Sequence, residues 1–143
     1  IDKQAVVITP KDTDMPAVTV EVRFPYSKED ETKIIDAVHS SMMFALKTPD
    51  WDKTIRLILH EPHRFTGPPT KGERYTLISF DMFSGRSLES KRALYAAIVD
   101  NLENVGIPRD EVMIVLREHP QENWGIQGGK AASDVNIGFK INV

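Results

Sequence analysis

The chain has 143 residues, with 18 Lys and Arg against 21 Asp and Glu and a net charge of -3. That length suits one domain, and the charge lacks the basic surplus of a nucleic-acid binder. There is no cysteine, which excludes a disulfide scaffold, a thiol nucleophile and a Cys-ligated metal. No apolar run approaches the roughly 18 residues of a bilayer span. No apolar stretch followed by a cleavage site reads as a secretory signal, so a cytoplasmic location is the default expectation.

In chain order, residues 1–15 form an N-terminal leader, and a domain over 16–143 follows. Ala17–Val22 alternates β-branched and other residues, as a strand does. Ser27 suits a helix N-cap, with Glu29 and Asp30 in the first turn. Ile34, Val38 and Met42 recur every four residues beside Ile35, Ala45 and Leu46, one apolar helix face. Thr48-Pro49 ends that helix, and Ile55–His60 reads as a second strand. Residues 62–73 hold two glycines and three prolines, a linker without regular structure.

The order then repeats. Tyr75–Phe83 is a strand, Ser87 a cap, and Leu94, Ile98 and Leu102 an apolar helix face. Gly106 ends the helix by the left-handed route, and Val112–Glu118 is the last strand of the unit. The capping serines lie 60 residues apart. The chain is thus two βαβ units, 16–61 and 74–119, with parallel strands and right-handed crossovers inside each. The predicted class is α/β, built as an α+β two-layer domain: a four-stranded sheet with two helices on one face. In the tail, 120–143, glycines supply turns, and Ile137, Phe139, Ile141 and Val143 alternate as a final strand.

Val18, Val20, Val22, Ile55, Leu57, Leu59, Val112, Ile114 and Leu116 form the sheet face that the helices cover. Ala17, Thr19, Glu21, Arg56, Ile58, His60, Met113, Val115 and Arg117 form the other, too apolar for water alone and too polar for a dry core. Parallel strands are normally covered on both faces. Another subunit is therefore expected to cover this one, the alternative being an open-faced ferredoxin-like sheet.

The candidate chemistry sits at strand and helix ends. Pro16 directly precedes the first strand. As a free N-terminus it would be a secondary amine that titrates near neutrality, a suitable general base beside a carbonyl. With residues 1–15 attached its nitrogen is a non-basic amide, and the residue merely opens an edge strand. Asp52, in Pro49-Asp50-Trp51-Asp52, could activate water or orient a base, or simply form a turn. Arg86, at a helix start, suits a substrate carboxylate or a solvated loop. Arg56 and Trp124 are candidate substrate-binding residues, Trp124 as a pocket wall. His39 reads as a packed, hydrogen-bonded histidine. The four histidines show no HxxxH or carboxylate-paired pattern, so no metal is expected. Gly125, Gly128 and Gly129 lack the Lys-Ser/Thr of a phosphate loop.

With these residues in place, the sequence resembles the tautomerase superfamily, and within it the malonate semialdehyde decarboxylase-like group. The resemblance runs from Met15 to about Gly129. It rests on the Pro16 strand start, Asp36-Ala37-Val38-His39, Pro49-Asp50-Trp51-Asp52, Ser84-Gly85-Arg86-Ser87 with Lys91, the run from Gly106 to Val112, and Glu122-Asn123-Trp124-Gly125. It implies a homotrimer with sites between subunits and no organic cofactor. It also implies that Pro16 is the proton-transfer group, Asp52 the water-activating aspartate, and Arg86 a carboxylate-holding arginine. Ser84 stands where the decarboxylases have a second arginine, which weakens the case for decarboxylase or hydratase activity; Lys53, Arg56 or Arg74 are candidate substitutes. The expected function is keto–enol proton transfer on a small 2-oxo acid. The alternatives are a non-catalytic binding or structural homologue, because Pro16 carries a leader, and an open ferredoxin-like ligand-sensing module.

Overall fold

A computed structural model describes residues 16–135. The alternating strand expected over Ile137 to Val143 lies outside the described residues. Four strands form one sheet: β1 (Ala17–Val22), β2 (Thr54–Leu59), β3 (Thr76–Phe83) and β4 (Val112–His119), in the order β2-β1-β3-β4. β1 pairs parallel with β2, and β3 parallel with β4, while β1 and β3 run antiparallel at the centre. Each parallel pair is joined by a helix, α1 (Lys28–Leu46) or α2 (Leu88–Glu103). The two expected βαβ units are therefore present.

Local chemistry explains the helix limits. The Ser27 and Ser87 hydroxyls accept from the backbone N–H of Asp30 and Ser90 at 3.1 Å, each capping a helix start. α2 closes as a Schellman turn: Ile107 N–H donates to the Leu102 carbonyl at 3.1 Å, and Gly106 N–H to that of Glu103 at 3.0 Å. Gly106 holds φ at 95°. α1 stops one residue before the expected Thr48-Pro49, because Lys47 itself turns left-handed, with φ at 59°.

The core fills the space between the sheet and the two helices. Val18, Val20 and Ile78, Phe80 of the central strands are fully buried against Ile34, Val38 and Met42 of α1 and Leu94, Ile98 and Leu102 of α2. The flanking strands are covered less. Ile55, Leu57, Ile114 and Leu116 are only partly buried, and Leu59 is 49% exposed. The sequence pattern put Leu59 under a helix, but β2 is an edge strand and the helices sit over the centre. The linker contains a single 3-10 turn, Pro62–Arg64, where no regular structure was expected. After β4, two-residue strands β5 (Gly125–Ile126) and β6 (Lys130–Ala131) form a small hairpin. Phe83, Ile126 and Ala132 make a second small core there, against Trp124 and Val135.

The face away from the helices carries polar pairs between exposed apolar side chains. Arg56 donates to Thr19 Oγ1 at 2.8 Å, and His60 Nε2 lies 2.9 Å from Glu21 Oε1. Ile58 and Met113 beside them are 40% and 50% exposed. No helix among the described residues is long and apolar enough to cross a membrane.

Candidate active site

Strand direction brings the candidate residues together. β1 and β2 are parallel, so Pro16 and Asp52 both precede a strand start at the same rim of the sheet. β3 runs the other way, so its end and the Ser84–Ser87 loop reach that rim too. β4 follows β3, which adds His119, and Trp124 comes just after it. Ala17, the residue after Pro16, pairs with Asp81.

Pro16 is buried. Asp52 is fully buried and Arg86 is 6% exposed. Asp and Arg are rarely buried unless opposite charge is near, and here the Asp52 carboxylate acts on the Arg86 guanidinium. Burial pushes the Arg86 guanidinium below its ordinary range, and the carboxylates of Asp52 and Glu118 pull it back up. Its Nε and one terminal nitrogen are buried without a hydrogen-bond partner among the described residues. A guanidinium with idle donors in a dry setting offers the fork geometry that carboxylates fit.

The open face adds a cluster that sequence reasoning did not assemble. Arg117 grips Asp81 with two hydrogen bonds, Nε to Oδ1 at 2.9 Å and a terminal nitrogen to Oδ2 at 3.1 Å. His119 Nε2 lies 3.0 Å from the same Oδ1. The Arg117 contacts, with help from His119, hold the Asp81 carboxyl down at about 2. Lys91 of α2 bonds Glu118 at 2.7 Å. Two of the four histidines are thus carboxylate-paired after all. The partners lie 38 and 39 residues away on neighbouring strands, so no local spacing could reveal them. The repeat could have: His60 and His119 end their strands in equivalent places, as Glu21 and Asp81 do in theirs.

The remaining candidates are distributed as follows. Trp124 packs edge-on against His119 at 5.7 Å and Phe83 at 5.6 Å, walling the rim. Arg56 sits on the open face in register with Thr19, further along the sheet. Lys53 is tied to Asp36 at 3.0 Å. Arg74 does not reach this rim. It precedes β3 at the opposite end and lies 3.9 Å over the Phe24 ring, which removes it as a substitute for the second arginine. His39 is packed as expected, but its buried Nε2 has no hydrogen-bond partner among the described residues. Gly125, Gly128 and Gly129 belong to the β5–β6 hairpin, with Gln127, Gly128 and Gly129 at positive φ in its turn. Among the described residues no group of three or more His, Cys, Asp or Glu side chains is arranged to hold a metal.

Comparison with known proteins agrees with this layout. A family model described as "Tautomerase enzyme" matches residues 52–127, more than half of the chain. The "Probable tautomerase YusQ" of Bacillus subtilis (strain 168) is 25% identical over 123 residues, covering 82% of this chain and 97% of that protein. A malonate semialdehyde decarboxylase inhibited by 3-bromopropiolate has the same fold, with TM-score 0.76 and 25% identity over 81% of this chain and 92% of that one. A fused 4-OT asymmetric trimer superimposes with TM-score 0.69 and 23% identity, covering 83% of this chain and 98% of that one. The family match spans the rim from Asp52 through Arg86 to Trp124, and the fold carries the paired βαβ units. On these grounds the chain belongs to the tautomerase superfamily.

Proposed function

We propose that the chain catalyses keto–enol proton transfer on a small 2-oxo acid. Arg86 holds the substrate carboxylate and polarises its carbonyl, Asp52 assists or positions water, and Trp124 walls the site. Pro16, once its nitrogen is freed, moves the proton. The observation that carries this reading is the buried Arg86 with unused donors, set between Asp52 and Glu118 at the rim where Pro16 enters the sheet. An apolar molecule would leave those donors unsatisfied; a carboxylate would accept from both with charge assistance. Arg117 is a second cation at the same rim, but two of its nitrogens are engaged by Asp81, so with Ser84 in place of the second arginine hydration or decarboxylation is a side reaction at most. The partly apolar open face, together with the trimeric form of the fused 4-OT neighbour, supports assembly into a homotrimer that covers it.

The test is ketonisation of phenylpyruvate enol by protein beginning at Pro16, beside its Pro16→Ala variant. A loss of two orders of magnitude or more in the variant is the expected result. Equal rates would remove Pro16 from the mechanism. The second reading, a non-catalytic homologue, is favoured by Met15 standing before Pro16, which makes the nitrogen an amide. It predicts no ketonisation by either form and binding of carboxylates alone.

A further inference from the structure

We propose that His119, held by Asp81, is a second proton-carrying group at this rim, acting on the enol of a 2-oxo acid whose carboxylate sits at Arg86. The inference rests on the activity proposed above and adds a residue to it. Four observations carry it. His119 ends β4, and its backbone carbonyl accepts the Ser84 N–H at 3.0 Å, where the Arg86 loop begins. Asp81, which holds its ring, pairs in register with Ala17, next to Pro16. The His119 side chain is 37% exposed, so solvent and ligand can reach it. Its Nε2 is committed to Asp81, and Nδ1 has no partner among the described residues.

The arrangement has the logic of an oriented imidazole. An ionised carboxylate that accepts from one ring nitrogen fixes the tautomer and leaves the other nitrogen as the acceptor. Arg117 keeps Asp81 in place through its two bonds, and Glu21 acts on Arg117 in turn from β1. Glu118 is turned to Lys91 of α2 and also acts on Arg86, and the Trp124 ring packs against those of His119 and Phe83.

The proton count balances. The imidazolium gives its Nδ1 proton to C3 of the enol, and the C=C electron pair becomes the new C–H bond. The O–H electron pair becomes the second bond of the carbonyl, and the departing hydroxyl proton goes to the neutral ring. Ring and solution end as they began. The duplication supplies an internal control, because His60 and Glu21 form the same pair at the opposite rim. There Tyr26 stands before the capping serine, in the place Arg86 takes in the second unit. Arg23 lines the same cavity as His60, but its terminal nitrogens are spent on the Phe65 and Gly72 carbonyls at 2.7 and 2.8 Å, so its fork is already occupied.

The test uses the full chain, whose Pro16 nitrogen is acylated by Met15. His119→Gln should lower kcat for phenylpyruvate enol about 100-fold with KM nearly unchanged, and should remove one limb of the pH–rate profile. Asp81→Asn, which alters a positioning residue, should shift that limb and lower kcat about 10-fold. His60→Gln should stay within about 2-fold of the parent. A His119→Gln variant that keeps the parent's rate and limb overturns the proposal. If the full chain does not ketonise the enol, the measurement is repeated on protein beginning at Pro16, and inactivity there too means that the proposed activity fails separately. His119 is then judged by 15N imidazole resonances with oxalate as an enolate mimic. Movement of its titration midpoint by oxalate, lost in Arg86→Ala, supports the proposal; an unmoved midpoint at 20 mM oxalate overturns it.

Discussion

Asn101 of α2 donates from its side-chain nitrogen to Ser41 Oγ of α1 at 2.9 Å, and the two residues are 60 positions apart. That interval is the spacing of the internal repeat, so equivalent positions of the two helices meet and bond across the axis that relates the halves. Ser41 also donates to the Ala37 carbonyl at 2.8 Å, which leaves its oxygen free to accept from Asn101. Removing Asn101 should cost about 1 kcal/mol. A double-mutant cycle with Ser41→Ala, read by urea denaturation, should return most of that value as coupling.

The core places a larger demand on the helices. Leu94 is fully buried beneath α2, whereas Leu88 at the start of the same helix is 58% exposed. Leu94→Ala should destabilise by about 2–5 kcal/mol, and Leu88→Ala by less than about 1 kcal/mol. Thermal unfolding of the two variants separates them directly.

The helix ends offer a paired test of backbone strain. Lys47 and Gly106 both sit at positive φ, at 59° and 95°. Lys47→Gly should stabilise by roughly 0.5–1 kcal/mol, since only glycine adopts that conformation without a Cβ penalty. Gly106→Ala should destabilise by about 1 kcal/mol or more for the same reason. Denaturant midpoints that move in the same direction for both would count against this account.

Asp81 makes stability depend on acid. Its carboxyl is lowered from 3.8 to about 2, chiefly by the Arg117 hydrogen bonds. A lowered carboxyl stabilises the folded chain above its unfolded value, and that contribution is lost as pH falls through about 2. Solvent screening reduces it to the order of 1 kcal/mol. The stability gap between the parent and Asp81→Asn should therefore be open at pH 6 and close on approach to pH 2, as followed by urea denaturation at each pH.

Arg86 should matter for binding more than for folding. With its Nε and a terminal nitrogen awaiting a partner, Arg86→Ala should cost about 100-fold in kcat/KM toward a 2-oxo acid enol, roughly 3 kcal/mol. Arg86→Lys should recover only part of that, because an ammonium cannot form the two-pronged contact. Steady-state ketonisation rates across the three proteins provide the check.

Much of this was legible in the sequence because burial leaves a periodic trace. Ile34, Val38 and Met42, and again Leu94, Ile98 and Leu102, announced two helices, and the repeat announced the pairing within each unit. Pro16, Asp52 and Arg86 could be named as candidates from residue type, place in the loops and the family resemblance; strand direction then brings them to one rim. The Asp81–Arg117–His119 cluster could not be read from spacing. Its members meet through the β3–β4 register, 36 to 38 residues apart in the chain, and alternation does not announce register. Leu59 was misplaced and Arg74 could not be placed for a related reason: pattern gives the face of a strand, but neither how far the helices overhang it nor which end a loop serves.

The two halves match in backbone, and each tip carries a histidine held by a carboxylate, but at the far tip the arginines rest on aromatic rings. The reactive tip therefore belongs to neither half alone: it takes strand starts from the first and strand ends from the second. Transposing segments 16–61 and 74–119 through the linker would preserve the layered scaffold and leave the acid–base equipment at the same rim, while Pro16 would follow the linker in mid-chain, where no trimming could free its nitrogen.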